Sequence, residues 1–201
     1  MGKPGELSVE GLLLTPGAGG TSDHPTLIAI QDALSPFTVI RHDFAYRRAG
    51  NKAPPRAPKL VAELAEELPE IAAKAGVSAD RLVLGGRSMG GRVCSMAVAA
   101  GLPAAGLVLL SYPLHPPGKP DNLRADHFPD LDLPVLFVNG DSDPFGTPDE
   151  LESHIDKIPG PVTTVWIEGG NHDPKHKDRV PAVVEAVATW LGDLQARRVR
   201  A

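Results

Sequence analysis

Ser88 stands in Gly86-Arg87-Ser88-Met89-Gly90, a spacing that can make an ordinary serine a nucleophile. The apolar run Leu82-Val83-Leu84 before it reads as a short buried strand, and the stretch from Val93 to Ala100 after it reads as a helix. A G-x-S-x-G between strand and helix forms the nucleophile elbow, a sharp turn that holds the serine hydroxyl out towards a substrate. Glycines at 86 and 90 leave room where a Cβ would clash. The plainer reading, in which Ser88 only caps the following helix, explains the serine but not the flanking glycines.

A serine hydroxyl attacks only when a base takes its proton and a third group holds that base. Seven histidines compete for the role. His172 lies in Glu168-Gly169-Gly170-Asn171-His172-Asp173, a glycine-rich turn past the last strand, and is expected at the same sheet edge as Ser88. His24 and His42 follow early strands, where a third group has no sensible place. His115, His127 and His154 read as surface residues; His176, four after His172, would make a metal pair but has no third ligand nearby. The acid belongs after strand 135–139, in Gly140-Asp141-Ser142-Asp143-Pro144. Asp143, further past the strand end, is the choice, and Asp141 reads as bracing the turn. Backbone N–H groups must also meet the oxyanion that forms on the substrate. Met89 supplies one from a helix start. The loop Thr15-Pro16-Gly17-Ala18-Gly19-Gly20 supplies the other, with Ala18 the candidate donor. Read as a phosphate cradle, that loop lacks the Gly-Lys-Ser/Thr ending. The chemistry calls for neither cofactor nor metal.

Such residues meet only if strands deliver them to one edge. Strands are expected at 11–15, 37–43, 81–85, 106–111, 135–139 and 163–167, and helices near 25–34, 58–75, 88–100, 148–158 and 180–195. In the second helix Leu60, Leu64, Leu68 and Ile71 recur at helical spacing with Glu63, Glu66 and Glu67 outside, and Pro69 should kink or restart it. In the last, Pro181 suits the first turn, and Val180, Val183, Val184, Val187, Trp190, Leu191 and Leu194 share a face. This alternation predicts an α/β fold: one domain over 1–201, about six mostly parallel strands, helices on both faces. In such sheets the working crevice lies beyond the carboxyl ends of the strands.

The bulk properties suit that reading. The chain has 201 residues, 42% hydrophobic and 22% charged, enough for a real core. A net charge of −5 gives no reason to expect nucleic acid, and Arg197, Arg198 and Arg200 suit a helix C-terminus. Cys94, the sole cysteine, rules out an internal disulfide and reads as a small buried side chain. Residues 1–6 show no secretory pattern, and Glu6 spoils a myristoylation signal. No run approaches about 18 apolar residues, so no membrane span is expected and the cytoplasm is the default location.

Together these residues resemble the α/β-hydrolase superfamily, whose triads run Ser, Asp, His along the chain. More narrowly they are similar to its dienelactone-hydrolase-like branch, with the Tex-type hydrolase-like proteins. The resemblance rests on Thr-Pro-Gly-Ala-Gly-Gly at 15–20, Gly-Gly-Arg-Ser-Met-Gly-Gly-Arg at 85–92, and Ser-Tyr-Pro-Leu-His-Pro-Pro-Gly-Lys-Pro at 111–120. Asn-Gly-Asp-Ser-Asp-Pro-Phe-Gly-Thr at 139–147 and Gly-Gly-Asn-His at 169–172 complete it. It implies Ser88 as nucleophile, Asp143 as acid, His172 as base, and oxyanion donors at Ala18 and Met89. Dienelactone hydrolases proper use cysteine, so their substrate does not carry over to Ser88. Pro16-Gly17 replaces the His-Gly of many oxyanion loops, two residues ahead of the proposed donor.

The stretch 112–133 is short and proline-rich, too small for the helical lid of large lipases, which predicts a lidless, open site. Tyr112, Leu114 and His115 either line that site or pin its loop. Arg87, with Arg41, Arg47 and Arg48, either binds a substrate anion or pairs with an acid such as Asp43 or Glu168; pairing is favoured. The leading expectation is a serine hydrolase acting on a small-molecule ester or thioester through an acyl-enzyme. The alternative is a non-catalytic binding or scaffold protein on the same fold, as some members of that branch are.

Overall fold

Strand side chains alternate between two faces, and here both faces are apolar. Six strands, β1 (Gly11–Thr15), β2 (Thr38–Arg41), β3 (Leu82–Arg87), β4 (Gly106–Leu110), β5 (Val135–Gly140) and β6 (Val162–Ile167), form one sheet. Their order is β2-β1-β3-β4-β5-β6, and every neighbouring pair is parallel. The computed structural model describes residues 9–173 and 179–199, the last three by backbone alone. The expectations for residues 1–6, for His176 and for the side chains of Arg197, Arg198 and Arg200 lie outside the described residues.

Helices α1 (Pro25–Leu34), α2 (Ala45–Arg48), α3 (Ala57–Ala75), α4 (Met89–Ala99), α5 (Pro148–Ile155) and α6 (Val180–Val199) cover the sheet. Leu13, Leu84, Leu107 and Phe137 face α3 and α4, packing on Leu60, Leu64, Leu68, Val93 and Ala97. Leu12, Leu14, Val83, Val108 and Val138 face the other way, onto Leu27 and Ile30 of α1 and Val183, Val187, Trp190, Leu191 and Leu194 of α6. Parallel sheets are stable when both faces are covered in this way.

Several details depart from the expectation. Pro69 does not restart α3, which is one helix from Ala57 to Ala75. Pro69 lies on the exposed side, where water can serve the carbonyl that loses its partner, while buried Leu64, Leu68 and Ala72 hold the helix down. The four-residue helix α2 is too short to show a period and was not foreseen. Between β4 and β5 the chain crosses with only a 3-10 turn at Phe128–Asp130. That crossover takes the place of a covering helix: Tyr112, Leu114, Phe128 and Leu131 are buried, and Tyr112, Phe128 and Phe137 form an aromatic cluster.

The strand order sets the place of the site. The chain leaves β1 for α1 and the edge strand β2, then returns to β3 on the opposite side of β1. After β3 it leaves over the other face through α4. Loops that depart in opposite directions open a crevice beyond the carboxyl ends of β1 and β3. Ala18 and Ser88 follow these two strands.

Candidate active site

Ser88 sits between β3 and α4 with φ 51° and ψ −116°, a conformation non-glycine residues rarely hold. Its amide donates to Leu110 O at 2.8 Å, which locks the turn onto β4. The turn closes against β1. A Cβ on Gly90 would stand 2.6 Å from Pro16 O, and one on Gly86 would stand 2.9 Å from Thr15 N. Ser88 makes no side-chain cap bond to α4. Its Oγ instead lies 2.8 Å from His172 Nε2.

His172 is brought there by the turn after β6. Gly170 N–H donates to Ile167 O, and Gly170 O accepts from Ser142 N–H at 2.9 Å, tying this turn to the one after β5. Asp143, on that second turn, has no exposed side-chain surface and places Oδ2 2.8 Å from His172 Nδ1. Its Oδ1 accepts the Phe145 amide at 2.8 Å. A carboxylate only accepts, so Nδ1 carries the ring proton and Nε2 is left to accept from the Ser88 hydroxyl. Asp141 is half-buried and accepts from the Ser142 hydroxyl, a bond within its own turn.

Ala18 and Met89 both line a cleft of about 450 Å³ that contains Ser88 and His172. Met89 opens α4, and the first amides of a helix have no intrahelical acceptor. Gly17 O accepts from Gly20 N–H at 3.0 Å. The C=O and N–H of a trans peptide point oppositely, so the Ala18 N–H points out of that turn. Tyr46 of α2 donates its hydroxyl to Ala18 O at 2.9 Å and steadies the next peptide.

Arg87 links both sides of the site. Its Nη2 donates to His172 O at 2.9 Å and lies 3.1 Å from Asp173 Oδ1. Burial lowers its pKa, opposed by the nearby Asp173 and Asp143. The ion-pair reading therefore holds with Asp173 as partner, where Asp43 or Glu168 was expected. Asp43 instead accepts from the Ser22 amide and hydroxyl. Arg41 pairs with Asp23, Arg48 with Glu67, and Arg47 donates to Asn51 O.

Three expected site residues are not in the cleft. Tyr112, Leu114 and His115 are 1%, 0% and 5% exposed, because their loop is packed onto the sheet as a substitute helix. Tyr112 donates its hydroxyl to Arg124 O at 2.6 Å, so pinning is its role here. His115 is thus no surface residue. His127 is half-buried against Phe128 and bonded to Ser95 Oγ at 2.8 Å, and His154 is half-buried as well. His24 and His42 do have acids beside them, Asp173 at 3.2 Å and Glu67 at 3.0 Å, but His24 caps α1 and His42 is also held by Arg48. Cys94 is fully buried against Gly85 O, and burial pushes its thiol up to about 12.

Phe145 escaped the sequence reading. Its ring stacks on His172, centroids 3.9 Å apart and planes 23° off parallel. Its only signal was its place in the 139–147 stretch. Among the described residues no group of three or more His, Cys, Asp or Glu is placed to hold a metal, and no helix is long and apolar enough to cross a membrane. A larger cleft of about 660 Å³, between β6 and α6, contains none of the Ser88 group.

A family model described as an alpha/beta hydrolase domain matches residues 8–191. Among solved structures, Est1E from Butyrivibrio proteoclasticus is 19% identical with a TM-score of 0.73, covering 98% of this chain and 92% of that one. An alpha-beta serine hydrolase homologue from Coxiella burnetii is 21% identical, TM-score 0.71, covering 93% and 87%. The type II thioesterase BorB of the borrelidin biosynthetic cluster is 20% identical, TM-score 0.65, covering 94% and 95%. At these identities the likeness to solved structures is one of fold.

Proposed function

This chain belongs to the alpha/beta hydrolase family, and from that premise we propose that it is a serine hydrolase cleaving a small-molecule carboxylic ester or thioester. The 2.8 Å separation of Ser88 Oγ and His172 Nε2 carries the reading. His172 Nε2 takes the hydroxyl proton as Oγ attacks the carbonyl carbon, and the carbonyl π pair moves onto oxygen. The Ala18 and Met89 amides hold that oxyanion. The intermediate collapses, the carbon–oxygen or carbon–sulfur bond breaks, and the imidazolium returns the proton to the leaving group. Asp143 keeps the Nδ1–H tautomer and steadies the imidazolium. Water then loses a proton to the same His172 as it attacks the acyl carbon, and the imidazolium returns that proton to Ser88 Oγ as the bond to the acid product breaks.

Both alternatives have a counterpart among the structural relatives, which include an esterase domain of a Rhodothermus marinus protein and the type II thioesterase BorB. Placement in the dienelactone-hydrolase-like branch, a single domain over 1–201 and a cytoplasmic location belong to the same proposal. A fluorophosphonate probe tests it. The protein should be labelled and should turn over short-chain p-nitrophenyl esters, with both lost, by about 10³-fold or more in turnover, in Ser88→Ala. No labelling and no turnover in the unaltered protein would sink the enzyme reading.

A further inference from the structure

Three arginines line the cleft at Ser88, and among the described residues Arg87 alone of the three has its guanidinium bonded, through His172 O and Asp173. Arg41, Arg48 and Arg81 also hold carboxylates, on Asp23, Glu67 and Glu10. Arg92 and Arg124 differ: both are half-buried, and among the described residues no carboxylate reaches ion-pair distance of either. Arg92 Nε is buried with no hydrogen-bond partner among them.

Both residues are carried into the cleft wall by anchored backbone. Arg92 is one helical turn beyond Ser88 on α4, its amide bonded to Ser88 O at 3.1 Å, so both residues share a face. Arg124 is anchored by its backbone: its amide donates to Leu114 O at 2.8 Å, and its carbonyl accepts from buried Tyr112. Burial, and then repulsion from Arg92, lower the pKa of Arg124. The neighbouring imidazole adds no negative charge, and the Tyr112 phenol only partly opposes the lowering at Arg124. His127 is pushed down to about 4 by burial and by Arg92, with Asp126 and Asp130 opposing, so it is neutral near pH 7. Two partly dried cations that repel each other, with no carboxylate at ion-pair distance among the described residues, are unfavourable until an anion joins them.

We propose that Arg92 and Arg124 form a subsite for an anionic group on the substrate, a carboxylate or a phosphate, a few bonds from the scissile carbonyl. This rests on the hydrolase reading of the same cleft and narrows it to acidic esters or thioesters. Arginine suits both anions through its planar, forked donors.

Ser88→Ala, which binds without turnover, gives a test independent of hydrolysis. It is titrated by calorimetry with monomethyl glutarate, methyl 4-phosphonobutyrate and the uncharged dimethyl glutarate. At least one anionic ester should bind about tenfold or more tighter than the diester, with the advantage shrinking at high salt. Which anionic ester wins separates carboxylate from phosphate. Adding Arg124→Met or Arg92→Met should remove most of the preference, Arg124→Lys should restore part of it, and Lys157→Met, outside the cleft, should leave it. Equal binding of charged and uncharged esters, no detectable binding of either anion, or a preference surviving both arginine variants overturns the subsite. Anion preference without fluorophosphonate labelling of the unaltered protein would instead overturn the hydrolase reading alone.

Discussion

Asp143 spends Oδ2 on His172 Nδ1 and Oδ1 on the Phe145 amide from a fully buried position, while the half-buried Asp141 carboxylate accepts from the Ser142 hydroxyl beside it. An amide at 143 would turn donors towards Nδ1 and drive the ring proton to Nε2, which then cannot accept from Ser88. Asp143→Asn should therefore lower kcat on a short-chain ester by about 10³ to 10⁴, as expected for a lost tautomer. Asp141→Asn should stay within about threefold, since a half-exposed bond within one turn contributes little. Steady-state kinetics decide, and the opposite ranking would overturn the assignment. That Ser88, Asp143 and His172 meet was legible because each proposed role demands one residue type just past a strand end. Arg92, Arg124, Phe145 and Tyr46 were not, because what they do depends on which distant backbone they meet. Tyr112, Leu114 and His115 show the converse: their loop was correctly placed near the site, but nothing in the spacing tells a side chain to turn inward.

The elbow itself is set by contact between β1 and the start of α4. A methyl group at 90 would push into Pro16 O and Thr15 Oγ1, neither of which can move without disturbing the loop that carries Ala18. Gly90→Ala should cost about 1–3 kcal/mol, as overpacking does, which for a chain this long is about 2–4 °C in Tm for each kcal/mol. Gly192→Ala, on α6 with nothing within 4 Å of the added methyl, should leave Tm unchanged or slightly raise it. Paired thermal melts check the contrast, and equal tolerance at both positions would show that the turn is not closed as described. Strands β1 and β4 and helices α1 and α6 could be read from apolar runs and periodicity, because each buries a whole face or stripe. The extent of α3 could be read as well, but not that Pro69 leaves it in one piece, because packing decided that, and the short α2 was hidden by its length.

At the scale of the whole molecule, the crossover between β4 and β5 replaces a helix, and it holds a titratable group half-buried against α4. His127 bonds to Ser95 of α4 and packs edge-on against Phe128, and burial with the Arg92 charge lowers its pKa to about 4 from 6.5. Between those two values the unfolded chain binds a proton that the folded chain refuses. Stability therefore rises with pH in this window and falls as pH drops through it. Burial lowers the pKa of His42 and His154 in the same sense, whereas Glu10, Glu70 and Glu150 are lowered from 4.5 and act only in more acidic solution. Melts at pH 7 and pH 5.5 thus isolate the histidines. One pH unit below the ordinary value, His127 alone should remove about 1 kcal/mol, or about 2–4 °C in Tm. His127→Gln keeps a donor for Ser95 but cannot titrate, so its Tm should change less between pH 7 and pH 5.5 than that of the unaltered protein. His42→Gln should flatten the profile to a smaller extent, since Glu67 opposes the lowering there. An unchanged slope in His127→Gln would mean that the crossover admits water at His127 and is not the sealed layer that covers the sheet between β4 and β5.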